Sequence, residues 1–333
     1  MKEFLENYNG TDYYLYTIKK GDFTMKVSDY GATLCNYIYK DIDLVQGFDN
    51  VHGYIEDVKY MNATIGRVCN RIGDGKFVLN DQEYHLAVNN GPNTLHGGLE
   101  GFDTKKWEIS EGEDYLSCKY ISKDMEEGFP GNLNIEVIYK LDDDGLNYTY
   151  RATSDKDTLV NICNHAFFNI NGLDSSTILD DYLMINADYI GTVDENGLTL
   201  EELLKVDNTP FDFRKRKKIG QDIDSDHIQI KNGSGYDHHF VIKGEGYRHF
   251  LTYDNNKLVM DVYSDLPGMH LYSSNFLDDK AHGKNNNTYP RRSSICFETQ
   301  YYPNAINLNN QIKPILKAGE LIEHTTKFKV KEK

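Results

Sequence analysis

The chain has 333 residues, with 52 Asp and Glu against 36 Lys and Arg, for a formal net charge of −16. So acidic a chain is a poor match for nucleic acid or an anionic membrane, because both demand clustered positive charge. Hydrophobic residues at 39% and charged ones at 26% are ordinary globular usage, which excludes wholesale disorder.

The opening Met1-Lys2-Glu3-Phe4-Leu5-Glu6-Asn7 lacks the apolar run of a signal peptide, and no later stretch approaches 18 apolar residues. A cytoplasmic location without membrane contact is therefore expected. Five cysteines, Cys35, Cys69, Cys118, Cys163 and Cys296, are odd in number and widely spaced, with no Cys-x-x-Cys. That pattern suggests neither a disulfide framework nor a structural zinc site, and free thiols fit a reducing compartment. Asn-x-Ser/Thr sequons, for example at Asn62 and Asn147, matter only in a secreted chain.

Tyrosine is the compositional outlier, with 25 Tyr and 15 Phe beside one Trp, and aromatic weighting favours strands. Along the chain, Phe23–Val27 is the first clear run of apolar residues at every second position, the period of a half-buried strand. Asn80-Asp81 then joins Phe77-Val78-Leu79 to Tyr84-His85-Leu86 as a hairpin. Leu116–Tyr120, Leu133–Tyr139 and Leu146–Ala152 alternate in the same way, the last two linked by Asp143-Asp144-Gly145. Leu159–Cys163 reads as an apolar strand, and Leu200–Val206 is the one short helical candidate. Arg214-Lys215-Arg216-Lys217-Lys218 is the only basic run and is read as a solvated turn rather than a phosphate or nuclear-import patch. Asn255-Asn256 introduces Lys257–Tyr263, and Ser294-Ile295-Cys296-Phe297 closes the set. No repeat or low-complexity linker divides the chain. The expectation is all-β: one large antiparallel β-sandwich domain over 1–333, with few short helices.

Three stretches are too polar for their strand-like surroundings. They are Asn70-Arg71-Ile72-Gly73 with Asn93-Thr94-Leu95-His96-Gly97-Gly98, then Asn164-His165-Ala166-Phe167-Phe168-Asn169, then Phe297-Glu298-Thr299-Gln300. Singly, a His or Glu ending an apolar strand is as well explained by structure as by function. Cys163 and His165, Cys296 and Glu298, and Cys69 and Arg71 are each two residues apart, so on strands each thiol shares a face with a polar residue. That gives small apolar packing beneath a polar cluster, and the plainer account is Cys as a small buried hydrophobe. His238-His239 beside Asp237 raises a metal, but neighbouring strand positions point to opposite faces, and no metal is expected.

Together the stretches resemble the aldose 1-epimerase (galactose mutarotase) family. The likeness runs through Tyr30-Gly31-Ala32, Asn70-Arg71-Ile72, Leu95-His96-Gly97-Gly98, Gly101-Phe102-Asp103, Trp107 and Asn164-His165. It continues through Val193-Asp194, Gly235-Tyr236-Asp237-His238, Leu266-Pro267-Gly268 and Glu298-Thr299-Gln300. The resemblance implies the mutarotase-like β-supersandwich with a sugar cleft on one face. It implies an isomerase that interconverts the α and β anomers of free aldohexoses such as galactose and glucose through the open-chain aldehyde. It makes His165 the acid for the ring oxygen and Glu298 the base for the anomeric hydroxyl, with Asn70, Arg71, His96, Asp237 and His270 around the sugar. No cofactor or metal is required, and the partner is a monosaccharide met by a monomer or homodimer. A carboxylate with an ordinary value near ~4.3 is a sluggish base in water, so Glu298 is expected to be buried.

The chain departs from the family pattern in places. Ala166-Phe167 stands where the family commonly has Ser or Thr and then Tyr, and His270 stands where many relatives carry Gln. Leu198-Thr199-Leu200-Glu201 replaces an Ile-Pro-Thr-Gly loop. Three other readings compete with it: an epimerase of phosphorylated or modified sugars, which needs cations around the cleft; a glycoside hydrolase, which needs two carboxylates; and a non-catalytic sugar-binding protein, which has no need for both His165 and Glu298.

Overall fold

Alternation along the strands sets the architecture. In Leu133–Asp142, Leu133, Ile135, Val137, Tyr139 and Leu141 are buried while Asn134 and Lys140 face solvent. Gly145–Ser154 repeats the pattern, and the two pair in unbroken register from Leu133↔Ser154 to Asp142↔Gly145. The computed structural model describes residues 1–58, 60–173 and 177–333.

Three antiparallel sheets carry most of the chain. An N-terminal meander of five strands runs in chain order from Lys2–Tyr8 to Ile42–Asp43. A nine-stranded sheet has Leu133–Asp142, Gly145–Ser154, Leu321–Glu332 and Leu258–Ser264 near its middle. A second five-stranded sheet is ordered Thr199–Lys205, Ala187–Val193, Asp237–Ile242, Gly268–Tyr272 and Cys296–Gln300. One cluster of buried apolar side chains, from Tyr16 to Val330, draws on all three sheets. The joints are specific. Tyr37 of the first sheet donates to the Phe328 carbonyl of the nine-stranded sheet at 2.9 Å, and Tyr253 of the nine-stranded sheet packs edge-on against Phe297 of the third, with centroids 5.6 Å apart. Each such buried aromatic stabilises the sandwich by ~2 kcal/mol or more through burial. Among the described residues, no helix is long and apolar enough to cross a membrane.

The hairpin expectations match the observed turns. Asn80 and Asp81 both take positive φ between Lys76–Leu79 and Gln82–His85, the primed turn that suits strand twist. Three readings need correction. Leu200–Val206 is an edge strand, Thr199–Lys205, rather than a helix: Leu200 and Leu203 mimic helical spacing but are exposed, and pairing with Ala187–Val193 prevails over local propensity. Leu159–Cys163 is broken into two short ladders, Thr158–Leu159 and Cys163–Asn164, with different partners. Glu298 lies in the middle of Cys296–Gln300, whose five residues are all buried, rather than at a strand end. The basic run is a surface feature held by acids: Arg214 bonds Asp207 and Asp212, Arg216 bonds Asp254, and Lys218 bonds Asp180.

Tyr139 links the nine-stranded sheet to the segment before His165. Its hydroxyl donates to the Ala32 carbonyl at 2.7 Å and accepts from Asn164 Nδ2 at 3.0 Å. Tyr139→Phe leaves the Ala32 carbonyl without this donor and is expected to lower stability by about 1–3 kcal/mol in urea unfolding. An unchanged midpoint would show that the bond contributes nothing net.

Candidate active site

Two short ladders deliver one wall of the site. Arg71–Ile72 pairs with Thr94–Leu95, setting Leu95 opposite Arg71 and bringing Asn70 and His96 together just beyond the paired residues. Both of these adopt left-handed backbone, with φ of 60° at Asn70 and 54° at His96, conformations that cost a non-glycine residue on the order of 1 kcal/mol each. A reciprocal clamp holds them: the His96 amide donates to the Asn70 carbonyl at 3.0 Å, and the Asn70 amide donates to Nδ1 of His96 at 3.2 Å. Gly97 follows at φ 92° because a Cβ there would lie 1.9 Å from the Gly66 carbonyl oxygen. Nε of Arg71 donates to Asn90 Oδ1 at 2.9 Å, which aims the guanidinium.

His165 comes from the second ladder, Cys163–Asn164 against Thr64–Ile65, and its amide donates to the Ala63 carbonyl at 3.0 Å. The other wall is the second five-stranded sheet, where Asp237 pairs with Tyr272, and His270 pairs with Glu298. Asp237, His270 and Glu298 thus sit on three adjacent strands. All seven residues singled out from sequence, Asn70, Arg71, His96, His165, Asp237, His270 and Glu298, line one cavity of about 210 Å³.

Two polar pairs organise this cavity. His165 Nε2 lies 3.4 Å from Glu298 Oε1, with side chains only 8% and 2% exposed. His270 Nε2 lies 2.7 Å from Asp237 Oδ1. Burial pushes the Asp237 carboxyl up, but the His270 hydrogen bond and nearby Arg71 more than reverse this, leaving it below the ordinary aspartate range. Burial, reinforced by the neighbouring His165 and Arg71, holds His96 well below the usual histidine range, so its ring is neutral at pH 7. The cysteines do lie beneath the polar cluster. Cys163 Sγ reaches Glu298, Cys296 Sγ reaches His165, and Cys69 Sγ donates to Gln300 Oε1 at 2.8 Å.

The remaining lining is mostly apolar or aromatic: Tyr60, Phe167, Tyr272, Phe276 and Leu277 among others. Phe167 stacks 5.2 Å from the His165 ring, so the aromatic ring that follows the histidine is kept while the hydroxyl is gone. None of the other four was named from sequence. Tyr272 was within reach, because it stands two residues from His270 on the same strand and so shares its face. Phe276 and Leu277 lie on a loop with no periodicity to mark them. A larger cleft of about 750 Å³ on the N-terminal sheet, around Asp43 and Lys284, shares no lining residue with the site.

His96, His165 and Glu298 bring ligand-type atoms within 4.8 Å of one another, a set that resembles a zinc site by composition. The Asn70 amide argues against that use. Because Nδ1 of His96 accepts from it, the neutral ring carries its proton on Nε2 and presents a donor rather than a lone pair. His238 and His239 also diverge: the first reaches Gln229 Oε1 at 3.2 Å and the second packs on Tyr302 with centroids 5.1 Å apart.

The family model described as aldose 1-epimerase matches residues 14–329. The galactose mutarotase of Homo sapiens is 39% identical over 311 residues, covering 91% of this chain and 90% of that protein. The Bos taurus galactose mutarotase is 37% identical over 322 residues, covering 94% and 93%. The aldose 1-epimerase of Escherichia coli K12 is 32% identical over 337 residues, covering 96% of each. Among solved structures, the galactose 1-epimerase from Lactobacillus acidophilus aligns with a TM-score of 0.90 at 29% identity, covering 100% of this chain and 98% of that one.

If His96 is a donor and not a ligand, the purified protein contains no stoichiometric metal, and its Tm is the same before and after EDTA. Metal analysis showing one equivalent of zinc, or a fall in Tm on chelation, would refute that assignment.

Proposed function

This chain belongs to the aldose 1-epimerase family, and we propose that His165 and Glu298 are the acid and base with which it interconverts the anomers of a free hexose. As a mutarotase it is an isomerase acting on a monosaccharide. The observation that carries the assignment is the buried His165–Glu298 pair, 3.4 Å apart, where the two walls of a cavity sized for a single sugar ring meet.

A cyclic hemiacetal opens when its ring oxygen gains a proton and its anomeric hydroxyl loses one. Both oxygens are bonded to the same carbon, so one acid and one base a few ångströms apart serve both. The doubly protonated His165 ring gives its Nε2 proton to the ring oxygen as the bond to C1 breaks, keeping its Nδ1 proton, and Glu298 takes the hydroxyl proton as the carbonyl forms. The aldehyde turns about its bond to C2. On closure Nε2 recovers the proton from the attacking hydroxyl and Glu298 returns its own to the carbonyl oxygen, so the enzyme ends as it began. Each positioned transfer typically contributes ~10²- to 10⁴-fold. Arg71, Asp237, and the Nε2–H of His96 supply fixed donors and an acceptor for the remaining hydroxyls, with Asn70 and His270 holding the last two in place.

Two alternatives fare worse on specific grounds. A hydrolase needs a protonated carboxyl as its acid, but the second carboxyl of the cavity, Asp237, is tied to His270 and held below the ordinary range. A phosphosugar needs cations, and Arg71 is the only Lys or Arg among the described lining residues. Free galactose and glucose are the substrates proposed, in the cytoplasm.

Polarimetry of freshly dissolved α-D-galactose and α-D-glucose tests the reading. Wild type should speed the approach to equilibrium, and His165→Ala and Glu298→Gln should each lose ~10²-fold or more. Wild type indistinguishable from the blank on every free aldose would sink the substrate claim, and a variant with full activity would remove that residue from its role.

A further inference from the structure

The two thiols nearest the acid–base pair are arranged crosswise. Cys163 stands two residues before His165, yet its S–H donates to Oε2 of Glu298 at 3.6 Å. Cys296 stands two residues before Glu298, yet its sulfur lies 3.5 Å from Nδ1 of His165. Both are fully buried, and neither lines the cavity. Burial pushes both thiols well above the ordinary cysteine range, with the negative charge of Glu298 acting in the same direction, so each remains a neutral S–H.

Resting on the acid–base reading above, we propose that Cys163 and Cys296 are positioning residues for proton transfer, holding the carboxylate and the imidazole from behind without touching the sugar. The chemistry of the donor is what suits them to this. A carboxylate that accepts several strong hydrogen bonds is stabilised as the anion and loses its appetite for a proton. A thiol is a weak donor, so Cys163 fixes the Oε2 side of Glu298 while leaving Oε1, which faces His165, a capable base. Among the described residues no other protein group donates to Oε2.

The contact behind His165 works in both protonation states. Nδ1–H donates to the Cys296 sulfur throughout, which leaves Nε2, the nitrogen facing Glu298, as the one that gives and recovers the proton. The same geometry therefore persists through the cycle, and the ring never passes through an imidazolate.

The test measures kcat and KM by polarimetry for Cys163→Ala, Cys296→Ala and Cys163→Ser, with Cys118→Ala as a control. Cys118 is equally buried but lies on Tyr115–Ser122, outside the site. The two site alanine variants should lose roughly 10-fold in kcat, the size expected when a group orienting a reactive side chain is removed. KM should stay within about twofold of wild type, as should the affinity for a sugar lacking its anomeric hydroxyl. Cys163→Ser restores a donor and should recover part of the lost kcat, while Cys118→Ala should change Tm and leave kcat alone. The proposal fails if the losses follow folded fraction as in the control, if they appear in KM, or if serine does no better than alanine. Should the alanine variants not fold, Cys163→Ser and Cys163→Val decide together: turnover kept by serine and lost with the non-donating valine follows the donor, while equal turnover in both shows the thiol to be mere packing. A wild type without activity would instead overturn the mutarotase substrate reading, so the two failures are separable.

Discussion

The structure turns on a single constraint: a carboxylate and an imidazole are kept out of water at contact distance, each without the strong partners that normally accompany burial. Burying an ionisable pair costs several kcal/mol per charged group before any attraction is counted. Glu298 meets that cost from the middle of a strand whose five residues are all buried and which pairs along its length with Gly268–Tyr272. The ladder is complete on the Gly268–Tyr272 side and the aromatic core lies beneath, where Phe168 packs against both Phe297 and Phe328.

The wall opposite Glu298 is stiffened differently. Asn70 and His96 are held in left-handed backbone by exchanging hydrogen bonds across a two-residue ladder, and Gly97 gives the chain room to pass the Gly66 carbonyl. Strain of this kind persists where surrounding structure over-determines it. The consequence is that the His96 ring cannot swivel without breaking a bond made by a backbone amide. A sheet on one side and a strained clamp on the other give the cavity two rigid walls.

Much of this was legible in the residues, and the exceptions have physical causes. Period-two burial announces strands wherever one face is wet, as in Leu133–Asp142, and fails where both faces are covered, as at Cys296–Gln300. Glu298 was therefore visible as a chemical anomaly while its place within the strand was not. Leu200, Leu203 and Leu204 carry helical spacing by accident on an edge strand, where exposure relaxes the pattern. The seven polar lining residues could be named because polar side chains in apolar surroundings stand out. The apolar ones could not, since a Phe276 or Leu277 at a cavity mouth has the same composition as the core. Cysteine spacing put each thiol on a face with a polar neighbour, but the crosswise contacts come from strand-to-strand packing that spacing within one strand does not encode.

The three imidazoles of the cavity show how one side-chain type is given three uses. Nδ1 of His96 is fixed by a backbone amide, a donor that never changes, so the ring is a permanent N–H toward the cavity. His270 faces the Asp237 carboxylate at 2.7 Å, a strong acceptor that keeps a proton on Nε2 and makes the couple a fixed unit. His165 alone stands between two weak or long contacts, a thiol at 3.5 Å and a carboxylate at 3.4 Å. A proton shuttles most readily from a group whose partners do not strongly prefer either of its states. On that ground we assign the mobile proton of the proposed reaction to His165, and its neighbours differ from it by what stands behind each ring rather than by the ring itself.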